Sequence, residues 1–150
     1  SMITTESYGI VSRYSSMLND NQATYSRSEN STYQHFYEAI DISVKTSGFY
    51  IFISESNMDT SGALYNGYFY LTYPSFNLFQ ENDDGAGNEQ FQIKAYLDSN
   101  VKYILVATTF GELVTVQFTI IATSPDNVKF LPNQYANKLK THPQHLKDQV

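Results

Sequence analysis

Two-residue alternation dominates the middle of this chain. Phe36, Glu38, Ile40, Ile42 and Val44 fall on one side of an extended segment, and Tyr37, Ala39, Asp41, Ser43 and Lys45 on the other. Four of the five residues on the first side are apolar, the signature of a half-buried strand. A helix competes over Tyr33–Ile40, but β-branched Ile42 and Val44 favour the strand. Ser47-Gly48 interrupts the run, and Phe49–Ser54 resumes as a nearly continuous apolar strand, which together suggest a hairpin. Ala63–Tyr73 is expected to be a strand broken by a tight turn or bulge at Asn66-Gly67 and ended by Pro74. Phe76–Phe79 is short and apolar. Phe91–Leu97, Val101–Thr108 and Val114–Ile120 complete the series, with Asp98-Ser99-Asn100 and Phe110-Gly111-Glu112 as turns.

Strands recurring about every 10 residues with turn chemistry between them predict an all-β sandwich or barrel rather than βαβ units. The flanks are less patterned. Residues 1–21 read as a polar segment with at most a short edge strand near Tyr8–Val11, and Ala23–Arg27 as another short strand. The sandwich is expected over 22–124. Residues 125–150, rich in Lys and carrying two of the three His, read as a poorly ordered linker or tail with a short helix around Gln134–Leu139.

Composition narrows the function. At 150 residues the chain suits one domain with a real core. The net charge of −6 argues against a nucleic-acid partner, which needs a basic face. Aromatic residues reach 15%, with 13 Tyr, 10 Phe and no Trp, a composition suited to pleated, half-buried surfaces. The chain has no Cys, which excludes disulfides, thiol catalysis and cysteine zinc sites. No apolar run approaches the roughly 20 residues that span a membrane, so no membrane insertion by this segment is expected. No signal peptide is visible, and the opening Ser1-Met2 has the form left by tag cleavage, so a domain of a longer protein is expected.

Catalytic chemistry finds little to stand on. A glycosidase needs a carboxylate pair across a cleft, and no spacing among the 15 acids nominates one. No G-x-S-x-G elbow is present. His35 adjoins a strand, and His142 and His145 are separated by Pro143, which opposes a metal-binding helix face. The expectation is a protein that is not an enzyme.

Three binding candidates remain. The first is Gln80–Glu89 (Q-E-N-D-D-G-A-G-N-E), where Glu81, Asn82, Asp83, Asp84, Asn88 and Glu89 offer the oxygen ligands calcium takes on a glycine-loosened loop. The spacing is not that of an EF-hand, and the same residues are ordinary turn formers. Asp59 is a contributor from another turn, or a side chain capping its own. The second is the aromatic run Tyr65, Tyr68, Phe69, Tyr70, Tyr73, Phe76 and Phe79, one face of which is expected to be core. Its tyrosines Tyr65, Tyr68, Tyr70 and Tyr73, where exposed, would contact a glycan or an extended protein ligand. Cross-strand aromatic pairing on an ordinary sheet surface is the competing explanation. The third is Asn30-Ser31-Thr32, a glycosylation acceptor pattern on an expected loop.

The order of short motifs resembles the bacterial pre-peptidase C-terminal domain and its animal relatives. The matching pieces are Ser47–Phe52 (S-G-F-Y-I-F), Ser54–Tyr65 (S-E-S-N-M-D-T-S-G-A-L-Y), Glu81–Asn88 (E-N-D-D-G-A-G-N), Phe91–Leu97, Tyr103–Thr108 and Phe118–Ile120. The resemblance implies a jelly-roll-like antiparallel β-sandwich of about eight strands. It implies a non-catalytic appendage of a secreted or cell-surface protein, serving adhesion or ligand binding. Some relatives, including the collagen-binding domains of clostridial collagenases, bind calcium and a fibrous ligand. By position, Asn82-Asp83-Asp84-Gly85 would be the calcium-associated loop, with calcium as a structural brace. Two departures stand out. Val116-Gln117 replaces the glycine usual before the final strand, and the N-terminal acidic segment has only Glu6, Asp20 and Glu29 as candidates. A domain with a structural or folding-assistance role and no ligand of its own is the alternative, as is a carbohydrate-binding module.

Overall fold

The computed structural model describes residues 9–138. Among them the chain forms ten strands and one short helix. They are β1 (Ile10–Leu18), β2 (Thr24–Tyr25), β3 (His35–Val44), β4 (Gly48–Ser56), β5 (Thr60–Asn66), β6 (Leu78–Asn82), β7 (Gln92–Leu97), β8 (Tyr103–Thr109), β9 (Val116–Ser124), β10 (Val128–Pro132) and α1 (Gln134–Lys138). One sheet runs β1-β9-β4-β7. The other runs β10-β3-β8-β5-β6, with β2 paired to β3. Every pairing is antiparallel. With β2 and β10 set aside, the sheets read β1-β9-β4-β7 and β3-β8-β5-β6, the strand order of an eight-stranded jelly roll. The all-β sandwich expected from strand spacing is the observed fold.

The core lies between the sheets. Alternate residues of each strand point inward, among them Ile40 and Ile42 of β3, Tyr50 and Phe52 of β4, Leu105 of β8 and Ile120 of β9. At Gly62 the inner face of β5 has room only for hydrogen, because a Cβ there would lie 2.7 Å from the Phe91 ring. A second apolar cluster sits on the outer face of the six-stranded sheet. Tyr37, Ala39, Ala63, Tyr65, Ile104 and Val106 point away from the main core yet are buried, covered by Tyr25, Phe69 and Ala136. The middle strands β3, β5 and β8 are therefore buried on both faces along most of their length.

Both flanks join the sandwich, which extends it beyond the expected 22–124. β1 pairs with β9 along its whole length, from Ile10 opposite Ser124 to Leu18 opposite Val116. Its inward positions include Tyr14 and Ser16, whose hydroxyls both donate to the buried Glu38 carboxylate. Hydroxyls satisfied in this way can face a core, so the strand lacks an apolar alternation. β10 pairs with β3, and Phe130 packs 5.6 Å from the Tyr14 ring and 6.4 Å from the Phe52 ring. Pro132 is tolerated because β10 is an edge strand. The helix expected near Gln134–Leu139 is α1, and Asn133 Oδ1 caps it by accepting from Ala136 N at 2.8 Å. Glu6, His142 and His145 lie outside the described residues.

The largest local difference from expectation is at Ala63–Tyr73. β5 ends at Asn66, and residues 67–77 form a loop rather than the second half of a strand. Gly67 takes φ 88° and Asn77 φ 62°, left-handed conformations that Gly and Asn accept at the two ends of the loop.

Candidate functional site

The loop of residues 67–77 carries one group of sequence-nominated residues. Its base is closed where Asn66 N donates to Asn77 O at 3.0 Å and Gly67 N to Lys102 O at 3.0 Å. Successive turns, Tyr73 N to Tyr70 O and Phe76 N to Tyr73 O, curl it over the outer face of the six-stranded sheet. Phe69 is the anchor. It is buried among Tyr25, Tyr37 and Tyr65, with ring centroids 4.9–5.6 Å away. Hydrophobic burial and aromatic edge contacts thus fasten the loop at its middle.

The anchoring separates the four candidate tyrosines. Tyr65 is only 2% exposed, and its hydroxyl donates to Pro74 O at 2.5 Å, so it is a core residue holding the loop and not a ligand contact. Burial pushes its phenol well above the ordinary tyrosine range, so it stays protonated as that donor. Tyr68 and Tyr73 are 67% and 64% exposed, and Tyr70 is also exposed. Phe76, which sequence reasoning did not nominate as a contact, joins them at 57% exposure, with its ring 5.5 Å from that of Tyr70. Tyr68 lies 6.0 Å from Tyr70. The rings form one exposed aromatic group. A shallow groove of about 510 Å³ runs beside it, between Leu71, Thr72 and Pro74 of this loop and the turn that joins β2 to β3. Glu29 crosses from that turn and accepts from Ser75 N at 2.9 Å and from the Ser75 hydroxyl, which holds its carboxyl below the usual range. Asn30 sits exposed at the tip of the turn, where an acceptor for glycosylation would be reachable.

The second group is the acidic stretch. Glu81 and Asn82 end β6, so the loop proper spans 83–91. Among the described residues no three His, Cys, Asp or Glu side chains gather closely enough to hold an ion. Glu81 pairs with Ala63, a residue of the cluster on the outer side of the six-stranded sheet. Asn82 Oδ1 is committed to the turn, accepting from Gly85 N at 2.7 Å and Gln92 N at 2.9 Å. Asp59 is drawn toward the loop. Burial, followed by the negative charges of Asp84 and Glu89 and then Asp83, raises its pKa above the ordinary carboxylate value. Its Oδ1 is buried without a hydrogen-bond partner.

The residue that organises this loop is Gln90. Its buried amide nitrogen lies 3.0 Å from Met58 O, 3.2 Å from Ser56 O and Glu89 O, and 3.4 Å from Asn88 O. Its carbonyl accepts from Ser54 Oγ at 2.9 Å. The carbonyls that a bound cation would recruit therefore already face an amide. Glu89 O also accepts from Thr60 N at 3.0 Å, and Phe91 N donates to Ser54 Oγ and Thr60 Oγ1. Asn88 and Glu89 take φ 53° and 62° to make the closing turn. One signal lay in the sequence: an uncharged Gln between the acidic run and the apolar strand.

No family model and no curated protein matches this chain. Among solved structures it is similar to the crystal structure of Yersinia pseudotuberculosis-derived mitogen (YPM), at 14% identity and a TM-score of 0.48, over 81% of this chain and 94% of that one. The pre-peptidase C-terminal resemblance read from motif order is not matched by a family model.

Proposed function

We propose that this chain is a non-catalytic binding module of an extracellular or cell-surface protein, and that it meets a protein or glycan ligand through the loop of residues 67–77. The observation that carries this reading is the joint exposure of Tyr68, Tyr70, Tyr73 and Phe76 on a loop fastened beneath by buried Phe69. Exposed large aromatic rings cost solvation free energy, and rigid rings give contact area with little entropy to lose. A glycan and collagen-peptide array tests it. A ligand whose binding falls at least tenfold in Tyr68→Ala and Tyr73→Ala, with melting temperature unchanged, supports the module. Binding that survives both substitutions, or no binding anywhere on the array, refutes it and favours a structural or folding-assistance domain with no ligand of its own.

Calcium enters this reading as a brace rather than a reactant. The orphaned Asp59 Oδ1, beside the charges of Asp84, Glu89 and Asp83, favours it. The engaged Asn82 and the Gln90 amide weigh against it, since a cation would have to displace existing hydrogen bonds. Melting curves with millimolar calcium and with EDTA decide. A rise in melting temperature that Asp59→Asn abolishes supports the brace, and no shift removes it.

A further inference from the structure

A second concave site lies on the other side of the β2–β3 turn. Arg27, Tyr33, His35, Phe110 and Glu112 line a cavity of about 420 Å³, with Ser28 and Ser31 on its rim. The same two serines border the groove beside the aromatic loop, so the two depressions meet at the Ser28–Ser31 turn. Arg27 is two residues past β2. The turn around it is fixed by Ser31 N to Ser28 O at 3.1 Å, and by Ser26 Oγ, which donates to Tyr33 O and accepts from Gln34 Nε2, each at 3.0 Å.

The guanidinium is held but not neutralised. It lies over the Phe110 ring, 5.2 Å from the centroid. Nη1 donates to Ser61 Oγ at 3.0 Å, whereas Nε is buried without a partner. Among the described residues no carboxylate lies within ion-pair distance of Arg27, and the one ion pair is Lys102 with Asp41. A guanidinium offers five N–H donors, and one is used here. Glu112 shares the cavity, but its Oε1 accepts from Gln34 N at 3.2 Å. His35 is buried, with Nδ1 2.8 Å from Gly111 O, and burial lowers its pKa, so it adds no charge at neutral pH. Tyr33 and Phe110 stand exposed as walls.

A positioned, unpaired guanidinium between aromatic walls and a hydroxyl rim fits a planar carboxylate carried on a ring. With a net charge of −6, the chain repels dense polyanions, so an isolated acid in an otherwise neutral ligand is the better match. We propose that the Arg27–Phe110 cavity binds the carboxylate of an acidic sugar residue, a hexuronate or sialate, within a glycan that continues across the Ser28–Ser31 turn toward the aromatic loop. The proposal rests on the binding reading above and names its ligand class.

Isothermal titration with a matched pair of trisaccharides, one ending in glucuronate and the other in glucose, tests it. The expected result is at least a tenfold preference for the acidic member. Arg27→Gln should remove the preference, and Phe110→Leu, a milder change, should reduce it. Glu112→Gln should raise affinity for the acidic member severalfold by removing a competing charge. Equal affinity of the wild type for both sugars overturns the acidic ligand while leaving the aromatic-loop reading standing. A preference that survives Arg27→Gln, tighter binding of a glutamate-bearing peptide, or no binding of either sugar overturns it as well.

Discussion

The two loops that flank β6 solve the same problem in opposite ways. The loop of residues 67–77 enters the strand, and the loop of residues 83–91 leaves it. The first is fastened by apolar burial: Phe69 goes inward, and this frees Tyr68, Tyr70, Tyr73 and Phe76 to stand in solvent. The second is fastened by hydrogen bonds, with Gln90 gathering carbonyls from two turns and Asn82 capping its own. An apolar anchor is indifferent to what the remaining side chains do, so the outer rings are available for recognition. A polar anchor uses up the oxygens that would otherwise hold a ligand. The loop that looked chemically richer in sequence has its Asn82 side chain and the carbonyls around Gln90 engaged in holding its own turns.

Substitutions can break this comparison. The largest effect is expected at Phe69→Ala, which empties the centre of the outer cluster and should cost about 3–5 kcal/mol in urea unfolding. It should also abolish any binding that depends on Tyr68, since the loop loses its seat. Gln90→Ala removes the amide that faces Met58 O and Ser56 O and the carbonyl that accepts from buried Ser54 Oγ, and should cost about 1–3 kcal/mol. Binding through the aromatic loop should survive it, because the Gln90 network contacts the other loop. If Gln90→Ala disturbs ligand binding as much as Phe69→Ala does, the two loops are coupled and the contrast fails.

Tyr68→Ala, at an exposed position, should change stability by no more than about 0.5 kcal/mol while removing binding. A large loss of stability there would mean the ring is structural. The smallest effect belongs to Asp59. Its carboxyl pKa is raised in the folded state, so ionisation opposes folding. That penalty is fully present above the raised folded value and is relieved as pH falls through it toward the ordinary carboxylate value. Asp59→Asn should therefore raise the melting temperature slightly at pH 7, and the gain should vanish in acid. A gain that persists at low pH would assign the effect to something other than charge.

The legible part of the fold was the set of strands with one wet face. β7 alternates strictly, with Ile93, Ala95 and Leu97 buried and Gln92, Lys94 and Tyr96 exposed, and its pattern alone locates it. β1 was obscured because its inward hydroxyls are satisfied by Glu38, a partner 22 and 24 residues away in sequence. Tyr65 and Tyr68 look alike in sequence. One is core and the other surface because β5 stops at Asn66, and what stops it is the closure of the loop on Asn77 and Lys102. Among the candidate ligands, Asp59 lies beside the charges of Asp84 and Glu89, while Asn82 Oδ1 accepts from Gly85 N and Gln92 N within its own turn.

Sequence by itself determined that this chain makes an antiparallel sandwich, because side-chain alternation and turn-forming residues act over a few neighbours and repeat along the chain. Only the tertiary structure decided which tyrosines are free. The outer face of the six-stranded sheet acquires its own core, and what covers it comes from Tyr25, Phe69 and Ala136, residues far apart in the chain. Burial of that kind depends on which segments meet in space, and no local pattern of hydrophobic and polar positions records it.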